Sequence, residues 1–187
     1  MILKQLSIIT MIFLTACGGS GDNSNNDNQL PKQTPDPQPE VPVELSTSEA
    51  SSLISAEIEL KLASFKTEFE NDQISISEEH TSQGTYGSTV HLDAIDAAFD
   101  TSLITTLSEI EDFILNLYSD YDINGPVSEH KLNTLRANLD KYLEQQVLPD
   151  YEPTFDDEDI IVLSWQVGYT ISSRVSYLLT SLKARGM

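Results

Sequence analysis

The chain has 187 residues, 30 of them acidic and 10 basic, for a formal net charge of −20. That balance argues against nucleic acid and against adhesion of the protein surface to anionic lipid, while it suits cationic partners or divalent ions. The single cysteine excludes an intrachain disulfide, so the folded part must be held by its core.

Residues 1–16 carry the three parts of a secretory signal. Lys4 is the sole charge, an apolar run extends from Leu6 to Leu14, and small residues precede Cys17. The run is too short to cross a bilayer, which takes roughly 20 residues. Leu14-Thr15-Ala16-Cys17 resembles the lipobox of bacterial lipoproteins at all four positions. The resemblance implies a diacylglyceryl group on the Cys17 thiol, cleavage before Cys17 and acylation of the new amino terminus. Several acyl chains give the stable anchoring that one chain does not. Gly18 stands where the family places an inner-membrane aspartate, which points to the outer membrane of a Gram-negative bacterium.

From Cys17 to Leu45 no apolar periodicity occurs. Gly, Ser, Asn and Asp give way to Pro31, Pro35, Pro37, Pro39 and Pro42, the composition of a disordered linker. Such a segment spans on the order of 30 Å as a coil and at most roughly 95 Å extended.

Residues 46–187 read as an acidic all-α domain, a four-helix bundle. Ser46-Thr47-Ser48-Glu49 is a capping box, and Ile54, Ile58, Leu62, Phe65 and Phe69 form a stripe that predicts a helix over 48–70. Residues 71–90 predict a long loop, with a short hairpin suggested by alternating Ile74-Ser75-Ile76-Ser77. A second helix starts near Leu92, with Phe99, Leu103, Leu107, Ile110, Ile114 and Leu117 inward and Asp93, Asp96 and Asp100 facing its amino-terminal dipole. A third covers 127–147, with Leu132, Leu135, Leu139, Tyr142 and Leu143 inward, and Pro149 and Pro153 ending it. The last is capped at Thr154 and carries Asp156, Asp157, Glu158 and Asp159 at its positive end. Its stripe is Ile160, Leu163, Val167, Ile171, Val175, Leu178 and Leu182, widened by Ile161, Trp165 and Tyr169. That width predicts the most buried element, with Gly168 admitting a close neighbour and Arg174 seeking a carboxylate or solvent. Short second and third connections imply antiparallel neighbours.

Between the second and third helices, residues 120–131 resemble an EF-hand calcium loop. Asp120, Asp122 and Asn124 fall at positions one, three and five, Gly125 at six, the Pro126 carbonyl at seven, and Ser128 at nine. The family's bidentate acid at twelve is replaced by Lys131, and Glu129 lies two residues early. The resemblance implies weak calcium binding, about 10⁻⁴–10⁻³ M as in extracellular modules.

Catalytic motifs are missing: there is no Gly-x-Ser-x-Gly elbow, phosphate-binding glycine loop or HExxH, and His80 and His91 match no metal-ligand spacing. The sequence therefore points to a non-catalytic envelope lipoprotein whose helical domain is structural or binds an envelope protein. A calcium-responsive module and a periplasmic hydrolase using carboxylates outside any known motif are the alternatives.

Overall fold

The computed structural model describes residues 43–126 and 128–187. The expected signal segment, Cys17 and the expected linker as far as Pro42 lie outside the described residues. The domain is all-α, with four main helices and one very small sheet.

Strand β1 (Val43–Leu45) leads into helix α1 (Thr47–Gln83). The capping box forms: the Glu49 amide donates to Ser46 Oγ at 3.2 Å and the Ser46 amide donates to Glu49 Oε2 at 3.1 Å. The inward stripe starts at Ala50 and passes through Ile54, Ile58, Leu62, Phe65 and Phe69, all buried.

The helix does not stop at Glu70, and residues 71–83 form neither a loop nor a hairpin. No Gly or Pro interrupts them before Gly84, and polar residues occupy the inward positions. Gln73 is buried and donates to Tyr151 Oη at 3.1 Å, and His80 is buried with Nδ1 at 2.8 Å from Thr85 Oγ1. Ile74 points outward. Gly84, at φ 70°, supplies the left-handed turn that ends α1, and its amide donates to the His80 and Thr81 carbonyls.

Helix α2 (Thr89–Asp120) begins three residues before the expected start, capped by Ser88 Oγ, which accepts from the His91 amide at 3.4 Å. Its first turn contains no acid, so Asp93, Asp96 and Asp100 lie beyond the terminal dipole. Asp100 instead receives a bidentate pair from Arg174, both contacts at 2.8 Å. Strand β2 (Tyr121–Ile123) follows at once and pairs in parallel with β1, Val43 opposite Tyr121 and Leu45 opposite Ile123. The expected linker thus ends as a strand that ties the start of the domain to the end of α2.

Helix α3 (Ser128–Tyr142) passes through a π-helical turn (Leu143–Val147) into the short α4 (Leu148–Tyr151). Pro149 does not end the run. It sits in the first turn of α4, where no amide is needed, and the widened turn before it relieves the clash of its ring. Helix α5 (Asp157–Ala184) is capped by Asp156, which accepts from the Asp159 amide at 3.0 Å. Thr154, expected there, contacts the Tyr86 hydroxyl at 3.2 Å instead.

The helices close in the cyclic order α1, α2, α5, α3, so α1 and α5 lie on one diagonal. Cross-contacts give the directions. Lys61–Glu109 and Asp72–Ser102 make α1 and α2 antiparallel, and Glu129–Lys183 does the same for α3 and α5. Asp100–Arg174 and Glu111–Ser181 run in step, so α2 and α5 are parallel. The bundle is two antiparallel pairs set side by side, with the segment after α2 crossing the diagonal.

Phe65, Phe69 and Phe99 fill the centre. Phe99 meets Phe65 edge-on at 5.2 Å and Phe69 at 5.0 Å, and Tyr142 closes the cluster from α3. Each buried phenylalanine contributes on the order of 1.5–3 kcal/mol.

Candidate functional site

Helix α5 turns one stripe inward, from Leu163 to Leu182, and that stripe alone is buried. Ile161, Trp165 and Tyr169 do not widen it. They are 67%, 71% and 65% exposed, and Val162 beside them is 45% exposed. At 100° per residue the four project from the side opposite Leu163, Val167 and Ile171. The Trp165 and Tyr169 rings stack at 5.9 Å with 18° between planes, which makes one aromatic surface about one turn long. A Cβ placed on Gly168 would meet nothing within 4 Å, so no neighbouring helix approaches there. A Trp, a Tyr and two branched aliphatic residues side by side on a rigid helix have the composition of a binding hot spot.

The sequence did carry a signal for this face. Glu158, Ser172 and Ser176 share it with Trp165, and such residues do not belong to a second buried stripe. β-branched and aromatic content was a poor guide to which side faces the core.

A second cluster lies where the α1–α2 connection meets the α4–α5 connection. His91 is wholly buried, stacked on His80 at 4.9 Å and enclosed by Tyr86, Tyr151 and Phe155. Its Nδ1 accepts the Gly87 amide at 3.2 Å, which places the proton on Nε2, and Nε2 finds no acceptor among the described residues. Burial, then the neighbouring His80, holds His91 below the ordinary 6.5. Burial pushes the Tyr151 hydroxyl up to about 12. The two imidazoles stack face to face, so their nitrogens do not converge on a shared ion. Among the described residues no carboxylate bonds to either ring, so neither is oriented as a general base. Beside this cluster a cleft of about 470 Å³ is lined by Glu70, Gln73, Glu78, Tyr86, Asp150 and Tyr151.

The calcium-loop residues are placed as follows. Asp120 ends α2, and Asp122 lies in β2 with its backbone committed to the strand pair. The Asn124 carbonyl accepts from the Thr47 hydroxyl at 3.1 Å, and the Gly125 carbonyl accepts from the Tyr118 hydroxyl at 2.9 Å. Gly125 has φ 96°, the turn that the resemblance requires of it. Pro126 is exposed, Ser128 opens α3, and Glu129 is paired with Lys183 at 2.8 Å. Among the described residues no three acidic or histidine side chains gather round a common point. A calcium ion needs six to eight oxygens, so a site here would have to draw also on Asn124, the Pro126 carbonyl and water.

Compared with known proteins, the chain matches no family model, no curated protein and no solved structure.

Two predictions follow from these geometries. A base held below its unfolded pKa binds fewer protons in the folded state, so its contribution is full above pH 6.5 and is lost as pH falls below it. The melting temperature of the native protein should therefore fall relative to that of His91→Phe between pH 7 and pH 5. A difference independent of pH would show that His91 does not titrate abnormally. For the loop, weak calcium binding would raise the melting temperature in millimolar calcium relative to chelator, and Asp120→Ala would abolish the rise. Superimposed curves would remove the calcium reading.

Proposed function

We propose that this is a lipid-anchored protein of the bacterial cell envelope, held in the outer membrane through Cys17, whose helical domain docks another envelope protein on the outer face of α5. The observation that carries the docking is the exposed Ile161–Val162–Trp165–Tyr169 surface. Isolated apolar residues on a surface are ordinary, but contiguous ones around a tryptophan mark interaction sites. The anchor rests on the lipobox-like Leu14-Thr15-Ala16-Cys17 and on the short apolar run before it. No helix among the described residues is long and apolar enough to cross a membrane. The linker would then set the reach of the domain, tens of ångströms from its lipid.

The docking is tested by a photoreactive residue at position 165 in living cells, with position 64 on α1 as an exposed control. A discrete crosslinked species is expected from 165 and not from 64, and Ile161→Ser with Tyr169→Ser should abolish it. That double variant removes only exposed side chains and should change stability by no more than about 1 kcal/mol. Equal crosslinking from both positions would remove the docking face. Mass spectrometry of the native amino terminus should show an acylated Cys17, and Cys17→Ser an unlipidated precursor.

A further inference from the structure

The acidic first turn of α5 opens directly onto the aromatic surface, and this continuity defines the chemistry of what can sit there. Asp156, Asp157 and Glu158 are exposed, and none of them forms an ion pair among the described residues. Asp156 uses one oxygen to cap the helix, while the carboxylates of Asp157 and Glu158 are bonded to nothing described. From Asp156 to Ser173 the chain has no Lys or Arg. The first base, Arg174, is already spent on Asp100. The face is therefore apolar over about 12 Å of helix and anionic at its amino-terminal end, with no cation of its own.

Resting on the docking-face reading above, we propose that the occupant is a cationic amphipathic segment of a partner protein. Apolar side chains one helical turn apart would cover Ile161, Trp165 and Tyr169, and Lys or Arg one turn further on would meet Asp157 and Glu158. A second copy of this chain is a poor fit. Each copy carries a net charge of −20. Parallel pairing would set two acidic turns against each other, and antiparallel pairing centred on Trp165 would set them against Ser172 and Ser173. An anionic lipid surface is repelled by the same carboxylates. A partner with bases beside its apolar anchors satisfies both halves of the face, and it meets a surface already rigid in a helix, so little ordering cost falls on this side.

Trp165 is the chain's sole tryptophan, so its emission reports this face directly. The test uses the chain from position 17 onward with Cys17→Ser, so that no lipid intervenes; its core lies wholly between Ala50 and Leu182. The probe is a tryptophan-free amphipathic Leu/Lys peptide, compared with its Leu/Glu counterpart. The Leu/Lys peptide should shift Trp165 emission to the blue, and binding should weaken about tenfold from low to high salt. Asp157→Asn with Glu158→Gln should weaken it about fivefold or more, and Ile161→Ser with Tyr169→Ser should remove it.

The proposal is overturned by equal shifts with both peptides, which would mean apolar contact without selection for charge. It is overturned also by a shift that grows with protein concentration alone, the mark of a second copy, or by one produced by zwitterionic or anionic vesicles. No shift with either peptide would overturn it as well. Any of these results alongside a positive crosslink from position 165 would leave docking standing and remove only the cationic partner.

Discussion

Helix α5 can bury only one side of itself, and the rest of the domain is arranged around that restriction. Leu163, Val167, Ile171, Val175, Leu178 and Leu182 point at the axis of the bundle, where α2 and α3 meet them. A helix in a four-membered ring offers its two neighbours an arc of roughly 100°, and whatever lies outside that arc meets water. Ile161, Val162, Trp165 and Tyr169 lie outside it. Among the described residues they could be covered only by another layer, and α1, the longest helix, sits at the far end of the diagonal from α5. The Arg174–Asp100 fork fixes the rotation of α5 against α2 from the other side. The contacts among the described residues hold this apolar surface outward and leave it uncovered.

The far end of the bundle is built differently. Beyond Phe69 the inward positions of α1 pass to Gln73 and His80, and the contacts there are hydrogen bonds and stacked rings: Gln73 with Tyr151, His80 with Thr85 and His91. These join the α1–α2 connection to α4 and to the connection before α5. The same polarity explains an orphaned imidazole proton on His91. An orphan of this kind costs stability, on the order of 1–3 kcal/mol, and the surrounding phenylalanine and tyrosine contacts offset it.

The periodic parts of the fold were legible in the sequence. The stripes of α2, α3 and the first half of α1 repeat at helical spacing, and every inward residue assigned to α2 is buried. The sequence misled where core positions are not apolar. Residues 71–83 present Gln73 and His80 to the interior, so hydrophobic periodicity vanishes although the helix does not. A three-residue strand pair has no period to detect, and its partners are far apart in sequence. Asp-x-Asp-x-Asn-Gly suggests a calcium loop after α2, but side-chain spacing cannot reveal that the Asp122 backbone is committed to a parallel strand. On α5 the sequence reading names Ile161, Trp165 and Tyr169 but not Val162, and its error is one of side: it assigns branched and aromatic residues to the core although their neighbours on the same face are Glu158 and serines. That misplacement concealed the candidate site, and the same residues read by angle would have exposed it.

Docking on α5 requires that the face around Trp165 be open to water in the isolated chain. Acrylamide quenching of Trp165 fluorescence measures this directly, since the quencher is neutral and indifferent to the protein's charge. Emission typical of hydrated indole, quenched nearly as freely as a small tryptophan amide and unchanged on dilution, is the predicted result. Blue emission shielded from acrylamide in the monomer would mean that the chain covers this surface itself, and it would contradict the docking face and all that has been built on it.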